Sequence, residues 1–218
     1  MRKVVAIDGP SGAGKSTIAK LIAKELGFDY LDTGALYRAV ALALRNNSIE
    51  PEDSDHRLRD TLLRTHITFT NGRVFLNGKD VSEDIRSKEI DHYSSVFSAR
   101  KIVRDLLLDI QRNAASTNDI VVEGRDTTTV VFPNAWKKIY LDASLEERAK
   151  RRYLQFKENG MYISIQEAKK DVMKRDKRDE NRDIAPLKRA DGALAIDSSN
   201  LPVEQVKEKI LEFIRAEP

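Results

Sequence analysis

Short apolar runs alternate with helical apolar stripes along this chain, the rhythm of a parallel sheet covered on both faces. Val4–Ile7 is a continuous apolar run of strand length. After a glycine-rich turn, Ile18, Leu21, Ile22 and Leu26 share one face of a helix that stops at Gly27, a residue suited to a left-handed cap. A short strand near Phe28–Leu31 follows, then a helix from about Ala35 with Leu36, Val40, Ala43 and Leu44 on its apolar face. Asp119–Glu123 and Lys138–Asp142 read as buried strands, Ala193–Asp197 as a fifth, and Val203, Val206, Ile210 and Ile214 mark a closing helix. Ser144 with Glu147, and Ser164 with Glu167, have the spacing of capping boxes that open two charged helices.

The block from Thr65 to Ser82 breaks this rhythm. Ile67 and Phe69 alternate with polar positions, as do Val74 and Leu76, and Asn71-Gly72 stands between them, the signature of an antiparallel hairpin. It lies between helical segments at Asp53–Arg64 and roughly Glu89–Ser116, so the spacing predicts an insertion on the α/β core. A chain of 218 residues fits one domain with such an insertion.

Composition narrows the chemistry by exclusion. With no cysteine there is neither a disulfide framework nor a thiolate metal site, and His56, His66 and His92 have no metal-like spacing. No apolar run approaches membrane-spanning length, and the stretch after Arg2-Lys3 is too short for a signal peptide, so a cytoplasmic protein with no membrane partner is expected. The net charge of +3 is unevenly placed: Arg148 to Arg182 holds twelve Lys/Arg against six Asp/Glu. A local basic segment on a near-neutral chain points to a small polyanionic substrate more than to nucleic acid.

The strongest local signal is Gly9-Pro10-Ser11-Gly12-Ala13-Gly14-Lys15-Ser16-Thr17, the G-x-x-x-x-G-K-[ST] phosphate-binding pattern between a strand and a helix. Glycines let backbone N–H groups converge on phosphate oxygens, Lys15 can reach the β- and γ-phosphates, and the Ser16 hydroxyl is placed to ligate Mg²⁺. The loop by itself fits a motor, a switch GTPase, a small-molecule kinase or a nucleic-acid-dependent ATPase. The N-K-x-D guanine-reading pattern is missing. Arginines lie where segments leave strands or enter helices: Arg38 after Leu31-Asp32-Thr33-Gly34, Arg125 beside Asp126 at the carboxyl edge of a strand, Arg104, Arg148, Arg151, Arg152, Arg175, Arg178 and Arg182. Gathered beside a phosphate loop they suit phosphoryl transfer, which is chiefly charge neutralisation and positioning.

Six stretches together make the resemblance specific: Ile7-Asp8-Gly9-Pro10-Ser11-Gly12-Ala13-Gly14-Lys15, Leu31-Asp32-Thr33-Gly34-Ala35-Leu36-Tyr37-Arg38, Glu123-Gly124-Arg125-Asp126, Thr129-Val130-Val131-Phe132-Pro133, Tyr140-Leu141-Asp142-Ala143-Ser144 and Arg178-Asp179-Glu180-Asn181-Arg182. With their spacing along nearly the whole chain, the sequence resembles the bacterial cytidylate kinases. The resemblance implies a P-loop kinase fold: a five-stranded parallel sheet flanked by helices, an acceptor-binding region over about 35–98 with its insertion near 65–82, and a lid over about 148–163 within a single domain, 1–218. It implies transfer of the γ-phosphoryl group of ATP to CMP or dCMP with Mg²⁺. UMP, AMP or another small acceptor, and an ATP-binding switch without net transfer, are the alternatives.

By the same similarity Ser95, Arg104 and Asp126 hold cytosine. Arg38, Arg125 and Arg182 clamp the acceptor phosphate with Thr33 nearby, and Arg175 and Asp179 address the ribose. Lys15, Arg125, Arg151 and Arg182 are the expected catalytic groups, Arg151 and Arg152 being delivered by a lid at Arg148–Gly160. A monomer is expected, because the site is complete in one chain. One departure stands out: the family reads Arg-Asp-Ile/Met-Gly-Thr where this chain has Arg125-Asp126-Thr127-Thr128-Thr129. A β-branched residue resists positive φ, so either that glycine's freedom is not used or the loop beside Asp126 is shaped differently here.

Overall fold

A computed structural model describes residues 2–70, 72–158 and 160–216. In chain order the elements are β1 (Val4–Asp8), α1 (Lys15–Leu26), β2 (Asp29–Asp32), α2 (Thr33–Asn46), α3 (Asp55–Leu63), β3 (Ile67–Thr70), β4 (Arg73–Leu76), β5 (Lys79–Asp80), α4 (Lys88–Phe97), α5 (Lys101–Ala114), β6 (Ile120–Gly124), β7 (Lys137–Asp142), α6 (Leu145–Glu158), α7 (Ile165–Asn181), β8 (Leu194–Asp197) and α8 (Val203–Arg215). β1, β2, β6, β7 and β8 form one sheet in the order β2-β6-β1-β7-β8, every pairing parallel.

The strand periodicity of two splits the sheet's apolar side chains between two cores. Val4, Leu31, Ile120 and Val122 pack with Leu36, Val40, Leu44, Phe97, Val103 and Leu107 from α2, α4 and α5. Val5, Ile7, Val121, Ile139 and Leu141 pack with Ile18 and Ile22 of α1 and Val206, Ile210 and Ile214 of α8. β1 and β6 are buried along their whole length, which is why each reads as an apolar run up to the acid, Asp8 or Glu123, near its carboxyl end. Gly27 caps α1 in the left-handed region at φ 66°.

Two local expectations are corrected, and the hairpin, present as β3 and β4, is extended. The expected helix from Glu89 to Ser116 is two helices, because the chain turns at Ser98–Arg100. Arg100 adopts extended backbone there, and its guanidinium donates to the carbonyls of Pro51 and Asp53 (3.0 Å for Asp53) and pairs with Asp55. The expected hairpin is a three-stranded antiparallel sheet, β3-β4-β5, since Lys79–Asp80 adds a short edge; Asn71 of its turn lies outside the described residues. Ser164 and Glu167 make a complete capping box, whereas Ser144 caps α6 from one side only. The Glu147 carboxylate accepts from Arg151 Nε at 3.0 Å instead.

Candidate active site

The carboxyl ends of the parallel strands open onto a cleft of about 720 Å³, the position where α/β sheets of this kind bind ligands. The glycine-rich loop joins the end of β1 to the start of α1. Two of its glycines are obligatory: a Cβ on Gly9 (φ 154°) would lie 1.9 Å from the Leu141 carbonyl oxygen, and one on Gly12 (φ 77°) 2.7 Å from that of Arg148. Gly14, at φ 92°, begins α1 with no side chain capping its first turn, so N–H groups at the positive end of the helix face the loop's interior. Lys15 Nζ donates to the Pro10 carbonyl at 2.7 Å. Burial, with Arg125 adding to it, pulls the Lys15 ammonium down to about 7, against the attraction of Glu123.

The loop is held from outside by the two charged helices. Ser11 N–H donates to Asp176 Oδ1 at 2.9 Å, and Arg148 bonds both Asp176 and the Ser11 carbonyl. Arg151 Nη1 donates to the Ala13 carbonyl at 3.1 Å and to Ser198 Oγ at 3.0 Å. It thereby links α6, the phosphate loop and the turn after β8.

Across the cleft, acidic and basic side chains interleave. Asp32 caps α2, accepting from Ala35 N–H at 2.9 Å, and pairs with Arg38 at 3.0 Å. Thr33 Oγ1 donates to the Glu123 carbonyl at 2.8 Å, and the close approach requires Gly124, whose Cβ would fall 2.6 Å from that hydroxyl. Asp126 takes Arg104 on one oxygen and Arg182 on the other, the latter at 3.2 Å. Burial pushes the Asp126 carboxyl up while both arginines pull against it. Arg125 Nε donates to Asp179 Oδ2 at 2.9 Å, and Arg125, Arg175 and Arg182 together hold Asp179 below the ordinary carboxylate range despite its burial. Ser95 lines the cleft, and its Oγ is buried with no hydrogen-bond partner, its bonding capacity unspent.

Thus Ser11, Gly12, Gly14, Lys15, Ser16, Thr17, Thr33, Arg38, Ser95, Arg125, Asp126, Arg151, Arg175, Asp179 and Arg182 come together on one cleft. Gly9, Pro10 and Ala13 shape the loop without lining the cleft. Arg104 does not line it either; it reaches the cleft through Asp126. Segment 148–163 comprises most of α6 and all but the last residue of the connection to α7, Asn159 within it lying outside the described residues.

Sequence reasoning assigned no role to Asp8 or Glu123. Asp8 is fully buried, and each of its oxygens accepts two bonds: Oδ1 from the N–H (3.0 Å) and hydroxyl (2.6 Å) of Thr127, Oδ2 from those of Thr128 (2.7 and 2.6 Å). Thr127–Val131 forms one π-helical turn closed by Phe132 N–H on the Thr127 carbonyl at 2.8 Å. Thr128 is not among the described non-glycine residues with positive φ, which are Ser48, Asn77 and Ala185. The glycine's freedom is therefore not used here, and the threonine hydroxyls instead donate to a carboxylate that, among the described residues, pairs with no lysine or arginine. Replacing Thr128 by valine should cost about 1–3 kcal/mol in denaturant unfolding, the penalty for a buried acceptor losing a donor, and serine should restore it. Glu123 accepts from the Ser16 hydroxyl and from Tyr30 OH, and burial beside Asp32 raises its carboxyl. The signal for both acids was the charged residue ending each buried apolar strand.

The Ser16 hydroxyl beside the Glu123 carboxylate is an all-oxygen donor set of the kind Mg²⁺ takes. Among the described residues no three acidic or histidine side chains converge into a metal cage.

A phosphate loop at the edge of a five-stranded parallel sheet, facing a cleft walled by arginines, defines a P-loop kinase. Two solved structures share the fold at low identity: an uncharacterized protein from Eubacterium ventriosum (TM-score 0.57, 13% identity, 99% of this chain and 100% of that one) and a shikimate kinase from Bacteroides thetaiotaomicron (TM-score 0.53, 11% identity, 98% and 99%). Residues 5–216 match the family model described as cytidylate kinase, and the chain belongs to the cytidylate kinase family. Relatives named cytidylate kinase include those of Thermodesulfovibrio yellowstonii, 52% identical over 98% of both chains, and Geobacter sulfurreducens, 48% identical over 97% of this chain and 92% of the relative.

Proposed function

We propose that this kinase passes the γ-phosphoryl group of ATP to CMP or dCMP, with Lys15, Arg125, Arg151 and Arg182 as its catalytic groups. The observation that carries the acceptor assignment is Ser95 and Asp126 on the cleft that begins at Lys15, with Arg104 behind them on the Asp126 carboxylate. Cytosine presents an exocyclic amine that donates and a carbonyl and ring nitrogen that accept; a carboxylate, a hydroxyl and a guanidinium answer those atoms. Uracil reverses donor and acceptor at two of them and would leave buried groups unpaired. The unpartnered Ser95 hydroxyl supports this reading.

No general base is required. An oxygen of the CMP phosphate is already an anionic nucleophile; it bonds to the γ-phosphorus as the bond to the β,γ-bridging oxygen breaks and ADP leaves. The protein's task is to bring two anions into line and neutralise them. Arg38, Arg125 and Arg182 clamp the acceptor phosphate, with Thr33 alongside. Arg175 and Asp179 orient the ribose, and Lys15 faces the β- and γ-phosphates. Ser16 and Glu123 would hold Mg²⁺, which when bound supplies further neutralisation of phosphate charge. Arg151, tied to Ala13 and Ser198, orders the donor loop. The α6 segment over residues 148–163 acts as the lid that excludes water. The reading takes one chain as the working unit, since every group invoked belongs to it, acting in the cytoplasm, where ATP is, without nucleic acid or membrane.

A coupled assay of ADP formation with CMP, dCMP, UMP and AMP tests the assignment. Turnover with CMP and dCMP is expected; activity only with UMP or AMP removes the cytosine assignment, and ATP binding without acceptor-stimulated turnover removes the transfer. Arg151→Ala should lower kcat roughly tenfold to a hundredfold while moving the KM for CMP much less, because a loosened donor loop misaligns the phosphates without touching the acceptor. Steady-state kinetics decide this, and an unchanged kcat takes Arg151 out of the mechanism.

A further inference from the structure

Asp91, on α4, is a charged group in the cleft wall that the transfer chemistry above does not use. Its two oxygens grip two different helices: Oδ1 accepts from Arg175 Nη1 of α7 at 2.7 Å, and Oδ2 from Arg152 Nη2 of α6. All three side chains line the cleft and are largely buried, at 14%, 16% and 10% exposure for Asp91, Arg175 and Arg152. Burial opposes the Asp91 charge, but Arg175, Arg152 and Arg38 outweigh it and hold the carboxyl far below its ordinary range, so it is an anion at every working pH.

The helices it grips are already bound to each other. Arg148 pairs with Asp176, Arg152 Nε with Asp171 at 3.1 Å, and Lys169 with Glu146 at 2.8 Å, so α6 and α7 are cross-linked along their length. Among the described residues, the ion pairs that cross from region 35–98 to these two helices are those of Asp91. Arg152 is otherwise fixed within its own hairpin by Gln155 and Asp171, whereas Arg175 has its Nε buried without a partner. One carboxylate therefore decides where two guanidinium groups stand relative to the acceptor side of the cleft.

We propose that Asp91 is a positioning residue for phosphoryl transfer: carried by the acceptor-binding region, it sets Arg152 of α6 and Arg175 of α7 into the cleft wall, so that seating of that region and delivery of both charges are one event. The inference rests on the kinase reading given above. Asp91→Asn keeps the shape and loses the charge. It should lower kcat about tenfold or more through the displaced Arg152 charge, with a smaller rise in the KM for CMP through Arg175, which otherwise orients the ribose. Asp91→Glu should recover part of the loss. The decisive readout is a double-mutant cycle. Arg152→Ala alone should lower kcat, and adding Asp91→Asn to it should cost clearly less than Asp91→Asn costs in the unaltered protein, because the share of the loss that runs through Arg152 is already gone and only that through Arg175 remains. Losses that multiply, or an Asp91→Asn protein with a lowered Tm but an unchanged kcat below it, overturn the proposal, as does an Arg152→Ala protein of full activity. Failure of the unaltered protein to use CMP would count against the acceptor assignment alone, since the cycle can be run on whichever monophosphate it does use.

Discussion

Replacing Lys15 by methionine should cut kcat by at least 10²- to 10³-fold, the cost of removing one preorganised charge from developing negative charge in a dry site, while leaving the fold intact or more stable. The stability half follows from the sign of the proton linkage. The folded Lys15 pKa stands near 7 against 10.5 for an ordinary lysine, so between those values the unfolded chain binds the extra proton and stability rises with pH. At neutral pH and below, the buried ammonium is a cost that methionine removes. The triphosphate reverses the balance by supplying the anion that Lys15 lacks in the protein alone. ATP binding at pH 8 should therefore take up a proton, and affinity should fall as pH rises above about 7. Calorimetry in buffers of different ionisation enthalpy measures the uptake, and in Lys15→Met it should vanish. An uptake that persists in the variant would assign the proton to another group.

Asp126→Asn should reduce kcat/KM for CMP by about 10²- to 10⁴-fold and narrow the preference for CMP over UMP, because an amide can donate to the uracil carbonyl where a carboxylate cannot. It should also lower stability by about 3–5 kcal/mol, since Arg104 and Arg182 would be left buried without their shared anion. The two effects separate experimentally: unfolding curves report the second, and the CMP/UMP ratio of kcat/KM at a temperature well below melting reports the first. A folded Asp126→Asn protein with an unaltered ratio would mean that cytosine is read elsewhere.

The parallel core was legible because β1 and β6 are buried on both faces and are apolar up to the acid, Asp8 or Glu123, near the carboxyl end of each. The glycine-rich loop was legible because Gly9 and Gly12 answer a backbone approach no other residue survives. What escaped was set by tertiary contact. Nothing local marks the turn at Ser98–Arg100, with neither glycine nor proline present; it is held by Arg100 reaching the carbonyls of Pro51 and Asp53. The short strand at Lys79–Asp80 has no apolar alternation to betray it. Asp91, Asp171 and Asp176 look in sequence like the solvated face of charged helices, and only the folding of α6 against α7 and α4 turns them into partners for named arginines.

Those partners bear on what the free enzyme ignores. Arg38, Arg104, Arg125, Arg148, Arg152, Arg175 and Arg182 are each matched to an aspartate within the fold. On the acceptor side, a bare sulfate or orthophosphate would have to displace a ready-made counter-ion for each arginine it contacted, and it has no base or sugar to recruit the remaining walls. Inorganic phosphate should therefore compete weakly with the acceptor nucleotide, whatever it does at the phosphate loop, and inhibition kinetics against CMP would measure this.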